Sequence, residues 1–393
     1  MTTAKRAAVK SAAATPPERR AFGRGPAITP FSLGTMRATG SAEQMAGVLD
    51  AALAAGINHL ETAPAYGSAE RYLGQALRAR AESDPSTISQ LVITSKLLPG
   101  IDFSEGQQQL RAILERLGVD QLHNLAVHGL NRPEHLTWAC QGAGAELLAW
   151  ALGEGLVGQV GFSSHGSTAL IEQALASERF SFCSLHVHLF DQTRLPLARA
   201  ALEAGIGVLA ISPADKGGRL YAPSPELLAD CAPIQPLELA YRFLLDQGIS
   251  TLSLGAAQAS DLSLASALTP SGGRWLSPAH RAALARLEGN GAERLGDSAC
   301  HQCRACLPCP KEVPIPALLR LRNLDIGHGM RAFAEERYNL IGRAGHWWEQ
   351  INAAACERCG DCLPRCPHQL PIPDLLADTH RRLAATPRRR LWG

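Results

Sequence analysis

Two cysteine runs near the C-terminus constrain this chain more than any other feature. The first is Cys300, Cys303, Cys306 and Cys309, followed by Pro310; the second is Cys356, Cys359, Cys362 and Cys366, followed by Pro367. The second reads C-x2-C-x2-C-x3-C-P, and the first is one residue shorter before its final cysteine. Both continue in parallel, as Pro310-Lys311-Glu312-Val313-Pro314-Ile315-Pro316-Ala317-Leu318-Leu319 and Pro367-His368-Gln369-Leu370-Pro371-Ile372-Pro373-Asp374-Leu375-Leu376. The region is an internal duplication. Two-residue gaps let three thiolates from one tight loop reach three corners of an iron–sulfur cube.

The second spacing is the one bacterial ferredoxins use for 4Fe–4S clusters, where the Cys-Pro sulfur reaches across to the other cluster. It predicts two such clusters with crossed ligands. Cys300, Cys303 and Cys306 would share one with Cys366, and Cys356, Cys359 and Cys362 the other with Cys309. A single cluster, with the first run degenerate, is the runner-up. Zinc sites use four ligands, commonly as two C-x2-C pairs, and need neither a third cysteine nor a trailing proline. Disulfides suit small secreted domains, whereas this chain has 393 residues.

That length fits two or three domains. The net charge of +2 points to neither nucleic acid nor an anionic membrane. No apolar run approaches the ~20 residues of a membrane-spanning helix. Cys140, Cys183 and Cys231 stand apart from the runs and read as small buried residues. Residues 1–20 are rich in Ala, Pro and Arg and read as a disordered tail. Arg19-Arg20-Ala21-Phe22 resembles a twin-arginine export signal, but Gly23-Arg24-Gly25-Pro26 is turn material where an apolar stretch should follow. A thiol-rich chain of this kind is expected in a reducing cytoplasm.

Between Phe31 and Leu268 short apolar strands alternate with amphipathic helices. Strands are expected at 31–36, 57–62, 90–95, 122–127, 158–162, 181–187, 207–211 and 250–254. Eight strand–helix units of this size suggest an α/β fold, a closed (β/α)8 TIM barrel. An open doubly wound sheet is disfavoured, since no G-x-G-x-x-G follows the first strand. The expected layout is a barrel over 21–270, a helical linker over 271–299 with a helix at 278–288, and a two-cluster domain over 300–393. Helical patterns at 316–324 and 330–341 make that last domain mostly α-helical.

A barrel carries its chemistry at the C-terminal ends of its strands. There the chain shows Glu61-Thr62-Ala63-Pro64-Ala65-Tyr66-Gly67-Ser68-Ala69-Glu70 with Leu73-Gly74, then Ile93-Thr94-Ser95-Lys96, Asn124-Leu125-Ala126-Val127-His128 and Gly161-Phe162-Ser163-Ser164. In these ordered motifs the chain resembles the aldo/keto reductase superfamily. The C-terminal region, with Arg337-Tyr338-Asn339 and Gly345-His346-Trp347-Trp348, resembles the branch carrying a ferredoxin-like domain. The resemblance implies a catalytic tetrad of Tyr66, Lys96, His128 and Glu61, where Glu61 replaces the family's aspartate. Tyr66 would donate the proton, its pKa lowered by Lys96, and His128 would orient a small carbonyl or alcohol substrate.

The resemblance also implies nicotinamide contacts from Ser163, Ser164 and Ser212, with Lys216, Gly217 and Gly218 at the pyrophosphate. Ile211 replaces the aromatic ring that often stacks on nicotinamide, and no basic residue near Gly255-Ala256-Ala257-Gln258 awaits a 2′-phosphate. Asp261 stands near the usual arginine. NADH is therefore expected over NADPH. His186 and His188 share one face of the sixth strand, and His59 and His123 read as structural. Two functions compete: an iron–sulfur oxidoreductase acting on a small carbonyl, and a catalytically weak barrel serving as scaffold or redox sensor for a partner protein. Nicotinamide supplies electron pairs and each cluster carries one electron, yet no flavin signature bridges the two.

Overall fold

The computed structural model describes residues 18–214, 219–270, 273–343 and 349–385. Eight parallel strands close into a barrel in sequence order. They are β1 (Phe31–Gly34), β2 (His59–Glu61), β3 (Val92–Leu97), β4 (Leu122–Val127), β5 (Val157–Ser164), β6 (Phe182–His186), β7 (Gly207–Ile211) and β8 (Thr251–Gly255). β1 closes the ring by pairing Phe31 with Leu252 and Gly34 with Gly255 of β8. Every expected strand forms within a few residues of its predicted bounds. β6 differs in one respect that matters: it ends at His186, so His188 lies beyond it in a turn that bridges back to Asp191.

Helices cover the barrel because their apolar faces need burial and their ends are capped locally. The Ser41 side chain accepts from Gln44 N ahead of Ala42–Ala54, and Asp102 accepts from Glu105 N ahead of Phe103–Leu117. Gly118, in the left-handed region, ends the latter helix. Among the outer helices are Pro133–Gln141 and Pro225–Cys231. Each starts on a proline at its first turn, a signal present in the sequence. In the strand-two motif, Glu70 and Gly74 are structural. Glu70 is buried and accepts from Ser95 Oγ at 2.5 Å and Arg116 Nε at 2.8 Å. A Cβ on Gly74 would fall 1.9 Å from the Arg116 carbonyl oxygen, so only glycine lets these helices approach so closely.

The lower barrel interior is a hydrogen-bonded polar belt. Ser32 Oγ contacts both Thr251 Oγ1 and His59 Nδ1 at 2.6 Å, and His59 Nε2 meets Thr94 Oγ1 at 2.7 Å. Asn124 donates to Thr94 Oγ1 at 2.9 Å and accepts from Gln159 at 2.7 Å. Such a chain satisfies buried polar groups that would otherwise destabilise the core. Phe22 plugs the barrel beneath it, packing on His59 and Phe182. The plug is a small hairpin in which Arg20 and Ile28 exchange backbone hydrogen bonds. This corrects one boundary. The expected tail ends before Arg20, whose guanidinium is tied to the Leu245 and Ile249 carbonyls; residues 1–17 of that tail lie outside the described residues.

Beyond β8 the chain is helical, with long segments at Pro278–Leu295, Ile315–His328, Arg331–Tyr338 and Ile372–Leu383. The linker helix continues well past its expected end at 288. A second apolar core joins these helices to the barrel: Leu318, Leu324, Phe333 and Leu376 cluster with Leu189, Leu227 and Leu239. Polar ties reinforce the join. Buried Arg320 reaches the Phe190 carbonyl at 3.2 Å and Asp191 at 3.6 Å, while Arg294 pairs with Asp230 at 2.6 Å. Cys183 and Cys231 are buried as expected; Cys140 is only half-buried. Among the described residues no helix is long and apolar enough to cross a membrane.

Candidate functional site

Glu61 ends β2 and Lys96 stands near the end of β3, so the barrel's register brings both to the same mouth. Tyr66 follows on a single 3-10 turn, Pro64–Tyr66, whose proline presets the tight bend. Lys96 Nζ donates to Tyr66 Oη at 3.0 Å and to the Thr62 carbonyl at 2.9 Å, and it forms a close ion pair with Glu61 Oε1. Tyr66 Oη donates to the same carboxylate oxygen at 3.1 Å, and Ser253 Oγ donates to the other at 3.3 Å. The buried His128 ring stands edge-on to Tyr66, with centroids 5.7 Å apart. The structure therefore brings all four expected tetrad residues together.

Electrostatics at this cluster differ from the sequence expectation. Burial pushes the Tyr66 phenol above its ordinary range and drives Lys96 well below its own. A lowered tyrosine needs a charged lysine, and burial works against that charge. The Glu61 carboxylate, in direct contact, opposes the loss. Glu61 thus holds Lys96 and occupies the hydrogen of Tyr66, a second contact that sequence reasoning did not anticipate.

The expected nicotinamide residues are placed differently from one another. Ser163 and Ser164 are both buried, and their hydroxyls serve the barrel rim. Ser163 Oγ accepts from Gly129 N at 3.0 Å; Ser164 Oγ donates to the Leu130 carbonyl at 2.6 Å and accepts from Gly166 N at 3.0 Å. Ser212 follows β7 with φ 58° and is half-buried. Lys216, Gly217 and Gly218 lie outside the described residues, as do His346, Trp347 and Trp348. Asp261 accepts from the Ala257 and Gln258 amides at 2.8 and 3.3 Å, so a carboxylate already fills the loop after β8.

The cysteine runs form two cavities. One is lined by Cys300, Cys303, Cys306 and Cys366; the other by Cys309, Cys356, Cys359 and Cys362. Each takes three thiols from one run and the Cys-Pro thiol of the other. The duplication extends to the backbone. Gln302 and Arg304 have positive φ in the first loop, as Arg358 and Gly360 do in the second, and Glu312 (53°) and Gln369 (52°) correspond after the Cys-Pro pairs. Left-handed residues alternating with right-handed ones are the backbone pattern of anion-binding loops. Among the described residues no group of three or more His, Cys, Asp or Glu side chains is suited to a metal ion.

A further polar group at the barrel mouth escaped sequence reasoning. His165, just past β5, lies with its Nε2 3.3 Å from His186 Nε2. Asn131 accepts from His165 N at 2.7 Å, and Arg194 donates to the His165 and Gly166 carbonyls at 3.2 and 2.9 Å. These residues come from separate stretches of the chain, and no linear spacing announces them.

The Aldo/keto reductase family model matches residues 30–224. An aldo-keto reductase of Mycolicibacterium vanbaalenii is 31% identical over 212 residues, covering 52% of this chain and 70% of that protein. The chain belongs to the aldo/keto reductase family and is an oxidoreductase of that type. Solved structures agree in fold. Aldo-keto reductase AKR11C1 from Bacillus halodurans (holo form) superposes with a TM-score of 0.59 at 18% identity, covering 68% of this chain and 95% of that one. The aldose reductase from Schistosoma japonicum gives 0.54 at 19% identity, covering 68% and 91%.

Proposed function

We propose that the barrel reduces a small carbonyl, or oxidises the corresponding alcohol, with Tyr66 as proton donor. The observation that carries this reading is the 3.0 Å contact from Lys96 Nζ to Tyr66 Oη at the barrel mouth. A phenol kept protonated by burial is in its donor form throughout the physiological range, and an alkoxide forming on the substrate is basic enough to take that proton. Lys96 then stabilises the phenolate left behind through its hydrogen bond, and Glu61 holds Lys96 in place. The edge-on His128 ring suits a hydrogen bond to the substrate oxygen. A bound nicotinamide would supply the hydride, and Ser212, Lys216, Gly217 and Gly218 are the residues proposed to contact its pyrophosphate. Asp261 in the loop after β8 disfavours a 2′-phosphate by like charge, which favours NADH over NADPH.

The C-terminal region, on the same proposal, is a ferredoxin-type domain holding two 4Fe–4S clusters. Four thiols line each cavity, and the repeated left-handed residues in each loop are of the backbone type that binds anionic groups. Cys300, Cys303, Cys306 and Cys366 would hold one cluster; Cys309, Cys356, Cys359 and Cys362 the other. When bound, such clusters carry single electrons, which fits a redox partner protein. Titration of the anaerobic protein with NADH and NADPH, followed by iron–sulfur absorbance and carbonyl turnover, tests both halves. NADH-dependent turnover supports the reductase.

A second reading has one observation in its favour. The Tyr66 hydroxyl already donates to Glu61, so its hydrogen must be redirected before it can serve a substrate. A barrel in which that does not happen would act as scaffold or redox sensor. Failure to bind either nicotinamide would favour it.

A further inference from the structure

The His165 cluster contains donors that the protein itself leaves unused. Asn131 Nδ2 and Arg194 Nε are both buried without a hydrogen-bond partner. Buried donors normally find acceptors, because leaving one unpaired forfeits its hydration with nothing in return. Both residues are fixed by their other atoms to the backbone around His165: Asn131 through His165 N, Arg194 through the His165 and Gly166 carbonyls. The unused atoms therefore belong to a rigid frame, with the His165 and His186 rings packed 4.3 Å apart beside it.

The frame's position and charge indicate what it would take. Asn131 follows His128 by three residues, and Val127 pairs with Phe162 in the β4–β5 register, so the frame flanks the proposed reacting centre on the next strands round the mouth. Basic charge is concentrated nearby. Arg194 senses Arg304 and Arg320 as well as the acidic Asp191 and Glu349. Asp191 is itself committed: burial works against its charge, yet Arg320, His188 and Arg194 hold it at about 2. An amide N–H, a guanidinium N–H and imidazoles on one side of a reducing site form a donor set for an oxyanion.

We propose that Asn131 and Arg194, supported by His165 and His186, bind a carboxylate carried by the substrate, so that the barrel acts on carbonyl compounds bearing an acid group. The inference rests on the reductase reading for its carbonyl but not for its carboxylate, and the two are separable by experiment. Calorimetric titration of the full chain with butyrate and with neutral butyramide reads the site without turnover. Butyrate should bind at least about tenfold more tightly, the scale of one hydrogen bond to a charged group.

Asn131→Asp keeps the acceptor that holds His165 N but replaces the free donor with a repelling charge, and should abolish butyrate binding. Arg194→Gln should weaken it about tenfold or more. In turnover, the preference for succinic semialdehyde over butanal should collapse toward one in both variants. Equal binding of butyrate and butyramide, or butyrate affinity unchanged in Asn131→Asp, would overturn the proposal. Butyrate binding that follows these variants while no carbonyl is turned over would sink the reductase reading and leave the carboxylate site standing.

Discussion

Gly34 stands opposite Glu61 in the β1–β2 register, and a Cβ at position 34 would lie 3.3 Å from Glu61 Oε2 and 2.6 Å from Ser253 Oγ. The extra methylene of this glutamate is therefore housed by a missing side chain on the neighbouring strand. That space lets the longer carboxylate reach Lys96 and Tyr66 together.

Glu61→Asp should leave carbonyl reduction intact or raise it, because a shorter side chain can still face Lys96 while releasing the Tyr66 hydroxyl. Steady-state kcat/KM against a small aldehyde reads this directly. A severe loss would mean that the bond to Tyr66 positions the phenol. Gly34→Ala should lower Tm by overpacking, at a cost of about 1–3 kcal/mol, and should reduce activity as Glu61 is displaced.

Tyr66→Phe preserves ring packing against His128 and Lys96 while deleting the hydroxyl. Turnover should fall about a hundred- to ten-thousand-fold, the usual scale for a general acid, with nicotinamide binding by fluorescence unchanged. Full turnover in the Phe variant would remove Tyr66 from its assigned role.

Acid stability should depend on the barrel's polar belt. Burial, with the Lys96 and His123 charges, lowers the pKa of His59 from 6.5 to about 3. The folded state thus resists protonation of a group that the unfolded chain protonates freely below 6.5. The stabilising difference is complete above that pH and is lost as pH falls toward 3. A gap of that size contributes on the order of a few kcal/mol. Urea unfolding across pH 7 to 4 should show a falling midpoint. His59→Gln, less stable at pH 7, should show a shallower decline; an equal slope would place the acid sensitivity elsewhere.

The sequence is legible where periodicity or fixed spacing encodes structure. Strands announce themselves as short apolar runs, and Glu61, Tyr66, Lys96 and His128 sit in ordered motifs at their ends. The grouping of the thiols could be anticipated because a Cys-Pro step redirects the chain. What escapes is set by three-dimensional closure. The role of Gly34 depends on a strand neighbour, the plug around Phe22 on the open end of a finished barrel. Asn131, His165 and Arg194 meet only because β4, β5 and β6 are adjacent in the ring. The upward displacement of the Tyr66 pKa is hidden for a related reason: the neighbouring lysine can be read from sequence, but the burial of the tyrosine that raises it cannot.

Cys366 shares a cavity with Cys300, Cys303 and Cys306, although it belongs to the other run. Anaerobic reconstitution should give iron and sulfide near eight each per chain, the rough stoichiometry of two 4Fe–4S centres. Cys366→Ser should perturb the paramagnetic signal of the cluster held by the first run, and Cys309→Ser that of the second. Because each variant removes a strut between the two loops, both should also lower the Tm of the whole C-terminal region. Despite the shortened spacing before it, Cys309 lines the second cavity with Cys356, Cys359 and Cys362. Iron near four per fully reconstituted chain, with Cys366→Ser affecting only its own run's signal, would instead favour one cluster bound by the second run alone.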